Sequence, residues 1–280
     1  MSRVASQLLS ENDAEAMQRK SYSSDLTDSQ WKQIKTFFDP HRRRQHDLRR
    51  DILDGLLYLV KTGCQWRMLP GGFAMQRFLQ WQTVYYYFRK WRRQGLVGRL
   101  LGVARRKARE EAGRAAEPSA LVIDCQSVPI TRTGGLCGFD AYKKVKGRKR
   151  HVVVDTQGWT WAVEVHAANE HESQRAFELI EQADQESDRL EVVFADKAYR
   201  GDLEDELAET LDLRLEITES DESESDAPGF AVEPKRWIVE RTFGWFGGWR
   251  RLSKEYERLT ETSEAIVRLA SLQLALSRLD

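Results

Sequence analysis

Cysteine and proline are scarce in this chain, and long apolar runs are missing. Its 280 residues hold six prolines and three cysteines, Cys64, Cys125 and Cys137. No two of these cysteines form a close pair, so they suit a reducing compartment and make poor zinc ligands as a set. No stretch reaches the roughly 18 apolar residues of a membrane span. The first 20 residues are polar and charged, without the apolar core of a secretory signal. We therefore expect a chain that stays within the cell and has no membrane partner. A Gly-rich phosphate loop of the NTPase kind is also missing, so no nucleotide cofactor is indicated. The five histidines show no ligand spacing; His166 and His171 follow a strand-like run and read first as structural or hydrogen-bonding groups.

Net charge is absent too, with 44 basic residues against 44 acidic ones, but that balance hides an asymmetry. From Gln30 to Arg109, 19 Lys or Arg stand against 4 Asp or Glu; from Asp155 to Asp226, 5 stand against 23. The first segment can serve a polyanion, whereas the second would repel one. Its clusters are Arg42, Arg43 and Arg44; Arg89, Lys90, Arg92 and Arg93; and Arg105, Arg106, Lys107 and Arg109. A charge run is also what an ordinary solvated helix face carries.

Residues 1–20 lack apolar periodicity and read as a loose tail. Thr27 with Gln30 three residues on fits a capping box, and Leu26 and Trp31 occupy the staple positions around it. Helices follow from this start to Pro40, over about Leu48–Lys61 with Gly63 as a stop, over about Gln76–Arg93, and over about Gly98–Ala112. The third buries Phe78, Trp81, Tyr85, Phe88 and Trp91. Near Pro118 the period turns strand-like: Ala120–Asp124, His151–Asp155 and Thr160–Val165. A helix at Glu172–Gln185, a strand at Leu190–Ala195, a helix at Gly201–Leu211 and a strand at Leu213–Thr218 come next. Glu219–Pro234 is acidic, Ser-rich and poor in large apolar residues, and reads as a mobile loop. Helices at Lys235–Trp249 and Thr260–Leu279 close the chain. The fold class is α/β, a mixed sheet flanked by helices and preceded by an all-helical N-terminal domain. The domains are 1–117 and 118–280.

Three acids stand out by position. Asp124 and Asp196 each end a buried strand, at the sheet edge where open α/β sheets place ligand sites. Glu240 lies on a helix, four residues after Arg236 and on its face. A lone strand-end acid is commonly a turn or cap residue, and Glu240 with Arg236 also fits a surface ion pair; spacing alone leaves both readings open. Carboxylates are the ligands that Mg²⁺ and Mn²⁺ prefer, and paired ions of this kind serve phosphoryl transfer. Trp237, Trp245 and Trp249 read mainly as core, although an exposed one can stack on an unpaired base.

Several segments in this order resemble one family. They are Tyr22–Trp31; Leu56–Pro70; Thr83-Val84-Tyr85 with Phe88-Arg89-Lys90-Trp91; Lys144–His151; Ala195-Asp196-Lys197-Ala198-Tyr199-Arg200-Gly201; and Val239-Glu240-Arg241-Thr242-Phe243-Gly244-Trp245-Phe246 followed by Arg250-Arg251-Leu252 and Tyr256-Glu257. The chain resembles a DDE transposase of the insertion-sequence-5 family, within the insertion-sequence-4 group, over about Tyr22 to Leu279.

This resemblance implies an RNase H-like catalytic domain. It also implies cleavage at the ends of an insertion sequence, strand transfer into target DNA, and Mg²⁺ or Mn²⁺, two ions per site, on Asp124, Asp196 and Glu240. Terminal inverted repeats and target DNA would be the partners, in at least a homodimer, in a prokaryotic cytoplasm at the nucleoid. Arg89, Lys90, Arg92, Arg93, Lys144, Lys146, Arg148, Lys149, Arg236, Arg250, Arg251 and Lys254 are the expected DNA contacts. The wider group carries Tyr and Lys where this chain has Glu233 and Gly247, leaving Arg250, Arg251 or Lys254 to replace that lysine. A metal-dependent nuclease of the same fold and a non-enzymatic DNA-binding descendant are the alternatives.

Overall fold

The computed structural model describes residues 22–38, 48–70, 80–132, 134–218 and 235–279, the Arg236 side chain excepted. The expected tail, Arg42–Arg44, Phe78 and the acidic stretch Glu219–Pro234 lie outside these residues. Helix α1 (Asp28–Ile34) begins as read: the Gln30 N–H donates to Thr27 Oγ1 and the Thr27 N–H to Gln30 Oε1. Helix α2 (Leu48–Thr62) ends where Gly63, at φ 69°, accepts the left-handed conformation that stops a helix. Helix α3 (Trp81–Arg93) buries Val84, Phe88 and Trp91; Tyr85 is exposed at the edge of that stripe, its ring against Trp66. Helix α4 spans Leu96–Glu111.

The sheet is built from β1 (Ala120–Pro129), β2 (Gly138–Asp140), β3 (Val145–Asp155), β4 (Thr160–Ala167), β5 (Val192–Ala195) and β6 (Arg214–Ile217). Strands β1 and β3 are antiparallel, as are β3 and β4, whereas β1, β5 and β6 are parallel; β2 adds to the start of β3. Strands β1 and β3 run well past the short stretches expected, and β2 was not expected at all. Helices α5 (Ala176–Asp184), α6 (Leu203–Leu211), α7 (Arg236–Phe246) and α8 (Thr260–Leu276) complete the chain. The expected helix from Glu172 begins as a 3₁₀ turn, Glu172–Arg175.

Apolar side chains line both sheet faces, which is why the central strands read as continuous apolar runs rather than alternating ones. Val122, Val152, Val154 and Phe194 join a core with the N-terminal helices, α7 and α8. Leu121, Ile123, Val153 and Val193 join a second core with α5 and α6. This is the mixed α/β, RNase H-like architecture expected, preceded by helices that share the first core.

Basic residues of α4 fasten the helical part to the sheet. Arg105 stacks 3.7 Å from the Trp161 ring, donates to the Thr160 carbonyl and pairs with Glu186. Arg109 donates to Asp155 Oδ2 at 2.7 Å, with both side chains buried. Asp155 also accepts from Trp161 Nε1 and from the N–H groups of Gln157 and Trp159. The third basic cluster, read from the sequence as a DNA-binding candidate, is therefore largely spent inside the protein. Lys107 reaches Gln33, and Arg106 donates to the Glu186 carbonyl.

Removing Arg109 would strand a buried carboxylate, which typically costs about 3–5 kcal/mol. Arg109→Met should therefore lower the urea midpoint of unfolding markedly. An unchanged midpoint would mean that the N–H donors alone hold Asp155.

Candidate metal centre at the sheet edge

Strands β1 and β5 are parallel neighbours, with Val122 in register with Phe194. Two residues beyond each, on the same sheet face by strand alternation, stand Asp124 and Asp196. Strand β4 also runs parallel to β1, since both are antiparallel to β3, so its exit delivers the chain to the same edge. A turn in which the Glu170 N–H bonds the Ala167 carbonyl reverses the chain, and the Glu172–Arg175 turn then packs on the Lys197–Tyr199 turn. Among the described residues, Asp124, Glu172 and Asp196 come together, with carboxylate oxygens all within 4.8 Å of one another.

Each acid is fixed locally. Asp124 is buried, and its Oδ1 accepts from the Cys125 N–H at 2.7 Å. Asp196 caps the following 3₁₀ turn, accepting from the Ala198 N–H at 2.9 Å, so the ordinary capping role and membership of the acid group coexist in one residue. Glu172 lies 3.2 Å from Lys149 Nζ. Burial pushes the Glu172 carboxyl up, but the Cys125 thiol hydrogen bond and the charges of Lys149 and Lys143 outweigh it and leave the group below its ordinary range. The donor set is all carboxylate oxygen, which suits Mg²⁺ or Mn²⁺ and not a soft-ligand metal.

Glu240 is not one of the three acids of this group. It is exposed on α7, next to Val239, which lies in the core with Val122 and Phe194. Glu172 was not singled out in the sequence, where it reads only as a helix start. No local signal marked it, because its place just beyond a strand parallel to β1 is a property of strand pairing.

The expected DNA contacts divide into two sets. Arg89, Arg93, Lys144, Lys146, Arg250 and Lys254 are exposed, and Lys90 and Arg92 are partly so; Arg92 pairs with Glu261. Arg148, Lys149 and Arg251 are buried. The Arg148 guanidinium donates to the carbonyls of Leu136, Glu257 and Arg258. Arg251 is held by Glu257 and the Cys64 carbonyl, leaving Arg250 and Lys254 as the exposed cations near the Gly247 departure. These three buried cations are structural in this conformation because their charge is already matched inside. Of the tryptophans on and after α7, Trp249 is buried, whereas Trp237 is exposed with Arg241 over its ring at 4.5 Å.

A carboxylate group where β1 and β5 run side by side in a helix-flanked mixed sheet suits divalent-metal phosphoryl transfer. A family model described as a transposase DDE domain matches residues 115–274. A second, described as a transposase of the IS4/5 family, matches residues 26–101. The chain belongs to the transposase DDE domain family, and it is a phosphoryl-transfer enzyme acting on DNA that depends on a divalent metal. No curated protein and no solved structure matches it. No helix among the described residues is long and apolar enough to cross a membrane.

Beneath the acids, the Tyr199 hydroxyl and His151 Nε2 are hydrogen-bonded at 2.8 Å, both fully buried. Burial, then His166 and Lys149, push His151 down to about 3, so it is neutral in the folded protein. The unfolded chain takes up that proton near pH 6.5 and the folded one does not. Stability is therefore full above pH 6.5 and falls with pH toward 3, by about 1.4 kcal/mol per unit from this group. His151→Gln should flatten the loss of melting temperature between pH 7 and 5. An equally steep loss in the variant would place the sensitivity elsewhere.

Proposed function

We propose that this transposase cuts the ends of its own insertion sequence and joins the freed 3′ ends to target DNA, with Asp124, Asp196 and Glu240 holding two Mg²⁺ or Mn²⁺ ions. The observation that carries this reading is the meeting of Asp124 and Asp196, 72 residues apart in sequence, at one sheet edge within ligand distance. Such ions, when bound, activate the attacking water or 3′-hydroxyl and steady the leaving oxygen on phosphorus. Asp124, fixed by the Cys125 N–H, and Asp196, fixed by the Ala198 N–H, supply preset anionic oxygens. Glu240 is presented by a helix packed on β1, the strand that carries Asp124, and on its neighbour β3.

The DNA path runs over the exposed cations Arg89, Arg93, Lys144, Lys146, Arg250 and Lys254 and the half-buried Lys90, with Arg236 four residues before Glu240. Lys90 also lines a cleft of about 280 Å³ with Arg49, Arg99 and Tyr87, a basic lining suited to a phosphate. Cutting two ends in one complex calls for at least a homodimer. The two segments that we assign, 1–117 for DNA binding and 118–280 for catalysis, act together on terminal inverted repeats and target. The work is done in the prokaryotic cytoplasm, at the nucleoid.

Asp124→Asn, Asp196→Asn and Glu240→Gln should each abolish cleavage and joining of a labelled element end while DNA binding in a gel shift survives. The amide keeps the shape but loses the charge that holds the ion. Exposed Glu178 on α5 is the control, since Asp155 and Glu257 are buried partners of arginines. Near wild-type cleavage by Glu240→Gln would remove it from the set.

Alanine at Arg89, Lys90 and Arg93 should weaken non-specific binding. It should also flatten the log–log salt dependence by roughly 0.9 for each phosphate that is no longer neutralised. A salt titration with the wild-type slope would move the DNA to another face.

A further inference from the structure

We propose that Glu172 is a metal-holding carboxylate of this centre, acting beside Asp124 and Asp196. The inference rests on the reading that those two acids hold the ion. The enzyme's family supplies the need for a divalent cation; the geometry supplies a third oxygen donor within 4.8 Å of the other two. Glu172 reaches that position from a turn of its own, after β4, packed on the turn that Asp196 caps.

An acid there for structural reasons alone would be expected to face its cation and nothing else. Glu172 does have a cation, Lys149, at 3.2 Å. Yet its carboxylate is also brought against two further acids, where like charges repel and a divalent cation has three oxygen donors at hand. Lys149 is in turn anchored by the Glu170 carbonyl at 3.0 Å. It can therefore hold one side of Glu172 while the carboxylate faces Asp124 and Asp196. As a cation beside Glu172 it competes with a metal ion for that carboxylate, and its burial explains why it contributes no surface charge to DNA.

The test is Mn²⁺ titration of the full chain without DNA, with free Mn²⁺ read by electron paramagnetic resonance. Glu172→Gln should weaken binding at least about tenfold, as Asp124→Asn should, while Glu178→Gln binds as wild type does. Lys149→Met should bind Mn²⁺ at least as well as wild type, because it removes a competing cation. Were Glu172 merely the support for Lys149, Lys149→Met would instead copy the loss in Glu172→Gln, and the proposal would fall. Wild-type affinity in Glu172→Gln beside a loss in Asp124→Asn would also overturn it, leaving the centre itself standing. Wild-type affinity in both would overturn the centre as well. Circular dichroism and metal-free melting check the fold of each variant. Should Glu172→Gln not fold, Glu172→Asp, with its charge retained but one methylene shorter, should still bind Mn²⁺ more weakly than wild type; undiminished affinity there would again overturn the proposal.

Discussion

The Arg109–Asp155 pair is the interaction on which the rest of the molecule hangs. Asp155 ends β3, opposite Leu121 at the start of β1, and its carboxylate is fully buried. One oxygen organises the β3–β4 turn by accepting from the N–H groups of Gln157 and Trp159; the other takes Arg109 of α4 and the Trp161 indole. A single buried charge thus joins the helical part, the turn and the sheet. Burial of a lone carboxylate is prohibitive, so the helical part supplies a cation that the sheet requires. This coupling matches the shared apolar core, in which α2 and α4 pack on α8, α8 packs on β4, and α7 packs on β1 and β3.

Three residues beyond Leu121 on β1 the electrostatics are reversed. Asp124, Asp196 and Glu172 crowd together, and a pair of like charges about 4 Å apart repels by roughly 4 kcal/mol even at an effective dielectric near 20. Backbone N–H groups on the two aspartates and Lys149 on Glu172 offset part of this. The fold brings these three oxygen donors together, where the proposed divalent cation would add its charge. The sheet therefore carries a lone carboxylate paired with an arginine in one place and three crowded carboxylates in another.

Local signals made most of the elements legible in the sequence. The capping box at Thr27, the Gly63 stop and the apolar runs ending at Asp124 and Asp196 each depend on a few adjacent residues, so they survive without tertiary information. What was not legible depends on long-range pairing. Arg105, Arg109, Arg148 and Arg251 look like DNA-binding charge in one dimension. Their partners Glu186, Asp155, the Glu257 and Arg258 carbonyls, and Glu257 lie 6 to 110 residues away, so only the fold reveals that they are spent. The same blindness affects the charge asymmetry, because part of the basic N-terminal excess is matched by the acidic segment it packs against. Glu172 was hidden for a related reason: its place at the edge follows from β4 being parallel to β1, a property of pairing and not of its neighbours.

Helix α7 joins the turn that Asp155 organises to the strand that leads to Asp196. Thr242 Oγ1 donates to the Gly158 carbonyl and Arg241 to the Gln157 carbonyl, both in the turn that Asp155 organises. Gly158 sits at φ 90°, and a Cβ there would meet Thr242 Oγ1 and the Trp245 ring within 3 Å, so helix and turn are in close contact. Toward the other end, Lys235 lies over the Phe194 ring at 3.6 Å, two residues before Asp196. The helix bearing Glu240 is therefore anchored at its middle by the turn and at its start by the strand that leads to Asp196. Asp124 and Asp196 owe their positions to strand register, Glu172 to a tethered turn, and Glu240 to a helix whose seat is set by Asp155. The buried pair opposite Leu121 thus bears on where the helical acid stands, although it makes no contact with the acid group.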